Sequence, residues 1–215
     1  MNKTTLAGLR RLLPRRAISY PEALSVAEIQ ANRLAASHRD SSVQEADLLL
    51  LTAISVESDA PTMDSEHSGS SRYDRGRWVI RLDPTEPRTR QRFTFAHEIK
   101  HILDATNAEA YARLTDRQIE RICDHFAACL LMSKPAVYRL WGRGIRTPEA
   151  LAAGLRVSLA AITIRLNTMG LPINSGTRER YTCRPRVGLL PPSVPSDTLP
   201  SPAPPTTTAL LGVIS

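Results

Sequence analysis

Five consecutive residues, His97-Glu98-Ile99-Lys100-His101, carry the strongest chemical signal in this 215-residue chain. On a helix, residues four apart are displaced by about 6 Å along the axis and only about 40° around it. Both imidazoles can therefore reach one metal ion, while Glu98, turned about 100° from His97, sits beside the open coordination position. This is the HExxH arrangement of zinc peptidases. Zinc at such a site lowers the pKa of a bound water toward about 7, and the adjacent carboxylate takes its proton.

A catalytic zinc takes three protein ligands, so a third must come from elsewhere. Glu120 and Asp124 are four residues apart in a second helical pattern. Glu120 completes a His, His, Glu set. Asp124, one turn later, is placed to accept a hydrogen bond from a liganding imidazole and fix its tautomer. The donor that would stabilise a tetrahedral oxyanion stays open among Tyr111, His125 and Tyr138, and no substrate-binding residue is identified.

Two long helices must position these groups. The first is expected from about Pro87 to Asp104, with Phe93, Ala96, Ile99 and Leu103 as its apolar face. The second starts at Thr115, which with Gln118 makes a capping-box pattern. Its buried stripe is Ile119, Ile122, Cys123, Phe126 and Leu130, and Lys134-Pro135 is expected to end it. Upstream, Pro21 opens a helix, and Leu48–Val56 reads as a strand or a buried helix. Ser58 to Gly76 is turn-rich, and Arg77–Leu82 alternates as a half-buried strand suited to pairing with an extended substrate. Thr147-Pro148 starts a further helix, and Ser158 caps the last, which ends at Gly170.

Composition bounds the rest. Hydrophobic residues make up 42% and charged residues 23% of the chain, which is ordinary globular usage. No apolar run approaches the roughly 18 residues needed to span a bilayer. The N-terminus lacks the apolar core of a secretory signal, although its acid-free, Arg-rich start leaves an organelle transit peptide open. Cys123, Cys129 and Cys183 form no ligand-spaced cluster and cannot all pair, which fits a reducing, cytoplasmic setting. Of the net charge of +7, five units come from Lys3, Arg10, Arg11, Arg15 and Arg16. Nine of the sixteen prolines lie between Pro172 and Ser215, which reads as a disordered tail.

At this point a family resemblance is visible. RQRFTFAHEIKHIL (90–103) and ERICDHFAACLLM (120–132) resemble the paired motifs RxRFTLAHELGH and ExxANxFAxxLLMP of the ImmA/IrrE-type metallopeptidases. RWVIRLDP upstream and GLRVSLAAITIRLNTMGL downstream extend the similarity over about residues 20–171. Lys100 stands where the family usually has Gly, Cys123-Asp124 replace Ala-Asn, and Ser133 replaces Pro. A cation at position 100 would either weaken zinc binding or snorkel to solvent.

The resemblance implies an intracellular, gluzincin-like zinc endopeptidase holding one zinc ion per chain through His97, His101 and Glu120, with Glu98 as general base. It implies a protein substrate, commonly a helix-turn-helix repressor, whose cleavage switches on stress-response or mobile-element genes. The expected architecture is α+β: a mostly helical core, a small antiparallel sheet and an HExxH helix. The expected divisions are a basic arm over residues 1–19, the metallopeptidase domain over 20–171 and the tail over 172–215. Two other readings compete. Residues 147–170 resemble a helix-turn-helix, with Thr163, Arg165 and Asn167 as base readers that must share one open face. Alternatively, the fold is an inactive module that binds a repressor without cutting it.

Overall fold

The computed structural model describes residues 5–36, 54–57 and 68–173. Thr5 is extended and its hydroxyl accepts from Gly8 N at 3.1 Å, capping the short helix α1 (Leu6–Arg10). Leu9, Leu13 and Ile18 are buried in the core. Arg10 Nη2 donates to Ile102 O at 2.6 Å, and Ile18 N donates to Ala110 O at 3.0 Å. Residues 5–19 are therefore packed into the domain, where a basic arm outside it was expected. Arg11, Arg15 and Arg16 mark the outer surface of this segment, while Arg10 and the leucines supply its anchor.

Helix α2 (Tyr20–Ala36) follows, with Ala23, Val26, Ala27, Ala31 and Leu34 buried at helical spacing. Its Pro21 sits in the first turn, where the missing N–H costs nothing. The sheet has strands β1 (Ile54–Glu57), β2 (Gly69–Asp74) and β3 (Arg77–Leu82), in the order β1-β3-β2. The β2–β3 hairpin turns at Arg75 and Gly76, both at positive φ, which matches the twist of antiparallel strands. By contrast β1 pairs with β3 in parallel, Ile54 opposite Trp78. The sheet is thus mixed rather than antiparallel, because no tight turn links β1 to β3 and imposes reversal.

Two other strand readings change. Gly69–Asp74 lies in the stretch expected to be turns, since its Ser-, Arg- and Asp-rich sequence lacks apolar alternation. β3 is central, so Val79 is buried as well as Ile80 and Leu82. Of the apolar run 48–56, Ile54 onward is strand and the earlier part lies outside the described residues.

The helical layer comprises α3 (Arg88–Asp104), a 3-10 turn (Ala108–Tyr111), α4 (Asp116–Leu131), α5 (Lys134–Gly142), α6 (Pro148–Leu155) and α7 (Leu159–Thr168). Thr115 and Gln118 form the expected capping box at the start of α4. Lys134-Pro135 opens α5 instead of ending α4, because proline fits the first turn of a helix. Thr147 and Ser158 cap α6 and α7 by accepting from Ala150 N and Ala161 N. The core runs through Phe95, Ile99 and Leu103 of α3 and Ile122, Phe126 and Leu130 of α4. The architecture is α+β, mostly helical. No helix among the described residues is long and apolar enough to cross a membrane. The expected tail falls, from residue 174 onward, outside the described residues.

Candidate metal centre

Helix α3 is held by the core on one side and by the sheet above it. The close approach of β2 is enforced at Gly69, where an added Cβ would lie 2.4 Å from Thr94 Cγ2 and 3.0 Å from Arg81 O. Only glycine permits this contact, and it sets the edge of β2 one turn before His97. An open cleft of about 890 Å³ results. Ser68–Ser71 line one wall, and His97, Glu98, His101, Glu120 and Asp124 line the other.

Within the cleft the sequence-selected groups converge. His97 Nε2 lies 3.0 Å from His101 Nε2 and 3.1 Å from Glu120 Oε2, and His101 Nε2 lies 3.5 Å from Glu120 Oε1. Tetrahedral zinc with bonds of about 2.0–2.1 Å sets its ligand atoms about 3.3–3.4 Å apart. The two imidazoles and the carboxylate therefore match three corners of such a site. Asp124 Oδ1 is 2.9 Å from His97 Nδ1, the ring nitrogen turned away from the convergence point. Burial alone would lower the His97 pKa, but Asp124, with Glu120 and Glu98, outweighs it and raises it. Glu98 is buried at 8% exposure beside the two histidines and has no hydrogen-bond partner among the described residues.

Sequence reasoning treated Cys123 only as core. Its thiol and the two imidazoles have atoms within 4.8 Å of one another. Burial, and then the charge of Asp104, push the thiol pKa up. The Glu120 carboxylate also faces both histidines, at 3.1 and 3.5 Å.

Lys100 follows neither expected course. It is fully buried, and its Nζ donates to Gln30 Oε1 at 2.9 Å, Asp104 Oδ1 at 2.7 Å and Tyr111 Oη at 2.9 Å. Gln30 in turn donates to Leu9 O at 3.1 Å. Lys100 thus neither snorkels nor lines the cleft; it ties α1, α2 and the 3-10 turn to α3.

The three oxyanion candidates are placed elsewhere. Tyr111 is buried on Lys100, Tyr138 is exposed on α5, and His125 is absent from the cleft lining. His125 does meet Glu28 and Cys129 in a second His/Cys/Glu group. There Lys134 pairs with Glu28 at 2.8 Å and Arg165 contacts Cys129, so two cations already occupy the place a metal would need. Among the cleft residues the cationic donor is Arg90, which sequence reasoning passed over. Its signal was spacing: it lies seven residues, about two turns, before His97 and so shares its face.

The helix-turn-helix reading required an open polar face on α7. Arg165 is instead 3% exposed and donates to Met132 O at 3.1 Å, while the exposed positions include Leu159 and Ile164.

Comparison with known proteins gives a family. The model for Peptidase_M78, described as the IrrE N-terminal-like domain, matches residues 56–167, slightly more than half of the chain. No curated protein sequence matches significantly. Among solved structures, a Mycobacterium tuberculosis transcriptional regulator is similar at 14% identity and a TM-score of 0.49, covering 78% of this chain. The match covers 53% of that protein, so the present chain corresponds to about half its length.

Proposed function

The chain belongs to the Peptidase_M78 family of IrrE N-terminal-like domains, and from that premise we propose that it is a zinc-dependent endopeptidase acting on a protein substrate. The observation that carries this reading is the convergence of His97, His101 and Glu120 at tetrahedral spacing, with Glu98 in the same cleft. These three residues would hold the ion. Asp124 would keep the His97 tautomer that presents Nε2 to it. When bound, zinc supplies Lewis acidity toward the scissile carbonyl and toward water.

The chain's own residues perform the remaining work. Glu98 accepts the proton of the attacking water and returns it to the leaving amine. Its low exposure keeps that proton from being lost to bulk solvent. β2 has a free outer edge among the described strands, and Ser68–Ser71 run along the cleft wall, so an extended substrate would add there. β3, the strand expected in this role, has both edges occupied by β1 and β2. Arg90 is the arginine lining the cleft, where it donates to Ser68 Oγ at 3.3 Å and lies 3.7 Å from Glu86. The family resemblance further points to a cytoplasmic helix-turn-helix repressor as the substrate.

Metal content by mass spectrometry tests the centre. About one zinc per wild-type chain, lost in His97→Ala, is expected. Glu98→Gln should keep that zinc and lower hydrolysis by about 10²–10⁴-fold. Absence of zinc from the wild type after zinc is offered, or undiminished turnover by Glu98→Gln, would overturn the reading.

A further inference from the structure

A second concavity adjoins the cleft. A groove of about 500 Å³ runs between α3, α4 and α7, and shares Arg90, Phe93 and Asp124 with the cleft. Its walls are largely apolar, with Phe93, Ala128, Met132, Ala161 and Ile164 among them. Ile164 is 67% exposed and Leu159 of the same helix 48%, so α7 presents aliphatic side chains to solvent beside the groove.

The groove's charges are mostly of one sign. Arg90 and Arg121 stand along it; Arg90 lies 3.7 Å from Glu86 Oε1, whereas Arg121 has no ion pair among the described residues. At the floor, Arg165 is nearly fully buried, and its Nη2 has no hydrogen-bond partner. The acid nearest in role, Glu28, is taken up by Lys134 at 2.8 Å. Asp124, the one carboxylate of the groove, is held by His97 at 2.9 Å. An apolar channel with an excess of positive charge, carried by Arg121 and Arg165, favours a ligand with an aliphatic side chain and neighbouring carboxylates.

We propose that this groove is a specificity subsite of the peptidase, binding a substrate segment in which an aliphatic side chain is flanked by acidic residues. The proposal rests on the peptidase reading, because continuity through Arg90, Phe93 and Asp124 is what makes the occupant the same polypeptide that enters the cleft. The aliphatic side chain packs against Ile164 and Phe93, and its acidic neighbours face Arg121 and Arg90. Double-stranded DNA would also feel the arginines, but it would have to lay its phosphates on exposed Leu159 and Ile164.

The test uses the full-length, zinc-supplemented Glu98→Gln protein, so that binding is read without cleavage. Its probe is a fluorescein-labelled peptide of about twelve residues, Glu and Asp around a Leu-Leu pair, followed by anisotropy. Counterparts carry Ser-Ser for Leu-Leu, or Lys for the acids, and a mixed-sequence DNA duplex is run beside them. The acidic Leu-Leu peptide should bind about tenfold more tightly than either counterpart and than the duplex. Ile164→Asp and Arg121→Glu, both at exposed positions and therefore safe for folding, should each weaken it about fivefold or more. Equal binding of the three peptides, tighter binding of the duplex, or indifference to both substitutions would overturn the subsite. Hydrolysis by the wild type is scored separately. A protein that ranks the peptides as expected yet cleaves nothing keeps the groove and loses the peptidase reading; the reverse result loses only the groove.

Discussion

Helix α3 carries two polar clusters with opposite fates. His97 and His101 meet Glu120 and Asp124 in a cleft where both carboxylates are more than half exposed. Around the same helix, Lys100 and Asp104 meet Gln30 and Tyr111 where Lys100 has no exposure at all. The open cluster brings Glu120 and two histidines to one point, with Asp124 behind His97, an arrangement that gains from a cation arriving from solvent. The sealed cluster brings its own cation, and every hydrogen of the Lys100 amine has an acceptor. Burial of a charge is tolerable when it is paired and fully hydrogen-bonded, and costly otherwise. One helix can therefore carry a ligand site and a structural lock, separated by whether the charge is supplied from within or from outside.

The sharpest way to break this contrast is to remove one member of each cluster. His101→Ala should reduce zinc affinity by well over the ~10–100-fold typical of losing an outer partner, with the denaturant midpoint of zinc-free protein nearly unchanged. Lys100→Met should do the reverse. It strands Asp104 and should cost about 3–5 kcal/mol in urea unfolding, while zinc per folded chain stays at the wild-type value. If Lys100→Met lost zinc at unchanged stability, the lock would have to be reassigned to the metal centre.

A smaller effect separates ligand from partner inside the open cluster. Asp124→Ala should lower zinc affinity by about 10–100-fold, less than loss of Glu120, as measured by competition with a chelator. Equal losses for the two would mean that Asp124 itself holds the ion.

The smallest expected effect lies at Glu28, an exposed-side ion pair that belongs to neither cluster. Its hydrogen bond to Lys134 holds the carboxyl below its usual pKa despite partial burial. A lowered folded-state pKa contributes stability above the unfolded value and loses it as pH falls through the folded one. Glu28→Gln should therefore cost under about 1 kcal/mol at pH 7 and nothing measurable near pH 2, read from paired thermal melts.

How much of this was legible without the structure follows the range of the interactions. Residues that act within one helix were readable from spacing: His97 with His101, Glu98 beside them, Thr115 capping with Gln118, and Glu120 with Asp124 one turn apart. Each depends on the fixed rise and rotation of an α-helix, which the sequence itself carries. Even the missed Arg90 obeys that rule. Apart from Lys134-Pro135, whose proline fits a helix start as well as a stop, the readings that failed needed to know what packs opposite. Residues 5–19 looked like a charged arm because the acceptor for Arg10 and the pocket for Leu9 come from residues far along the chain. β2 was unreadable because its polar sequence becomes a strand only by pairing with β3.

Lys100 shows the division most clearly. By itself the sequence determined that a lysine sits between two histidines on a helix. It could not determine whether that charge faces zinc, water or the interior. The answer came from Gln30, Asp104 and Tyr111, of which only Asp104 is near enough on the helix to be anticipated as a partner. Local geometry is set by bonds along the chain, whereas the cost of a buried charge is set by which distant groups folding brings against it.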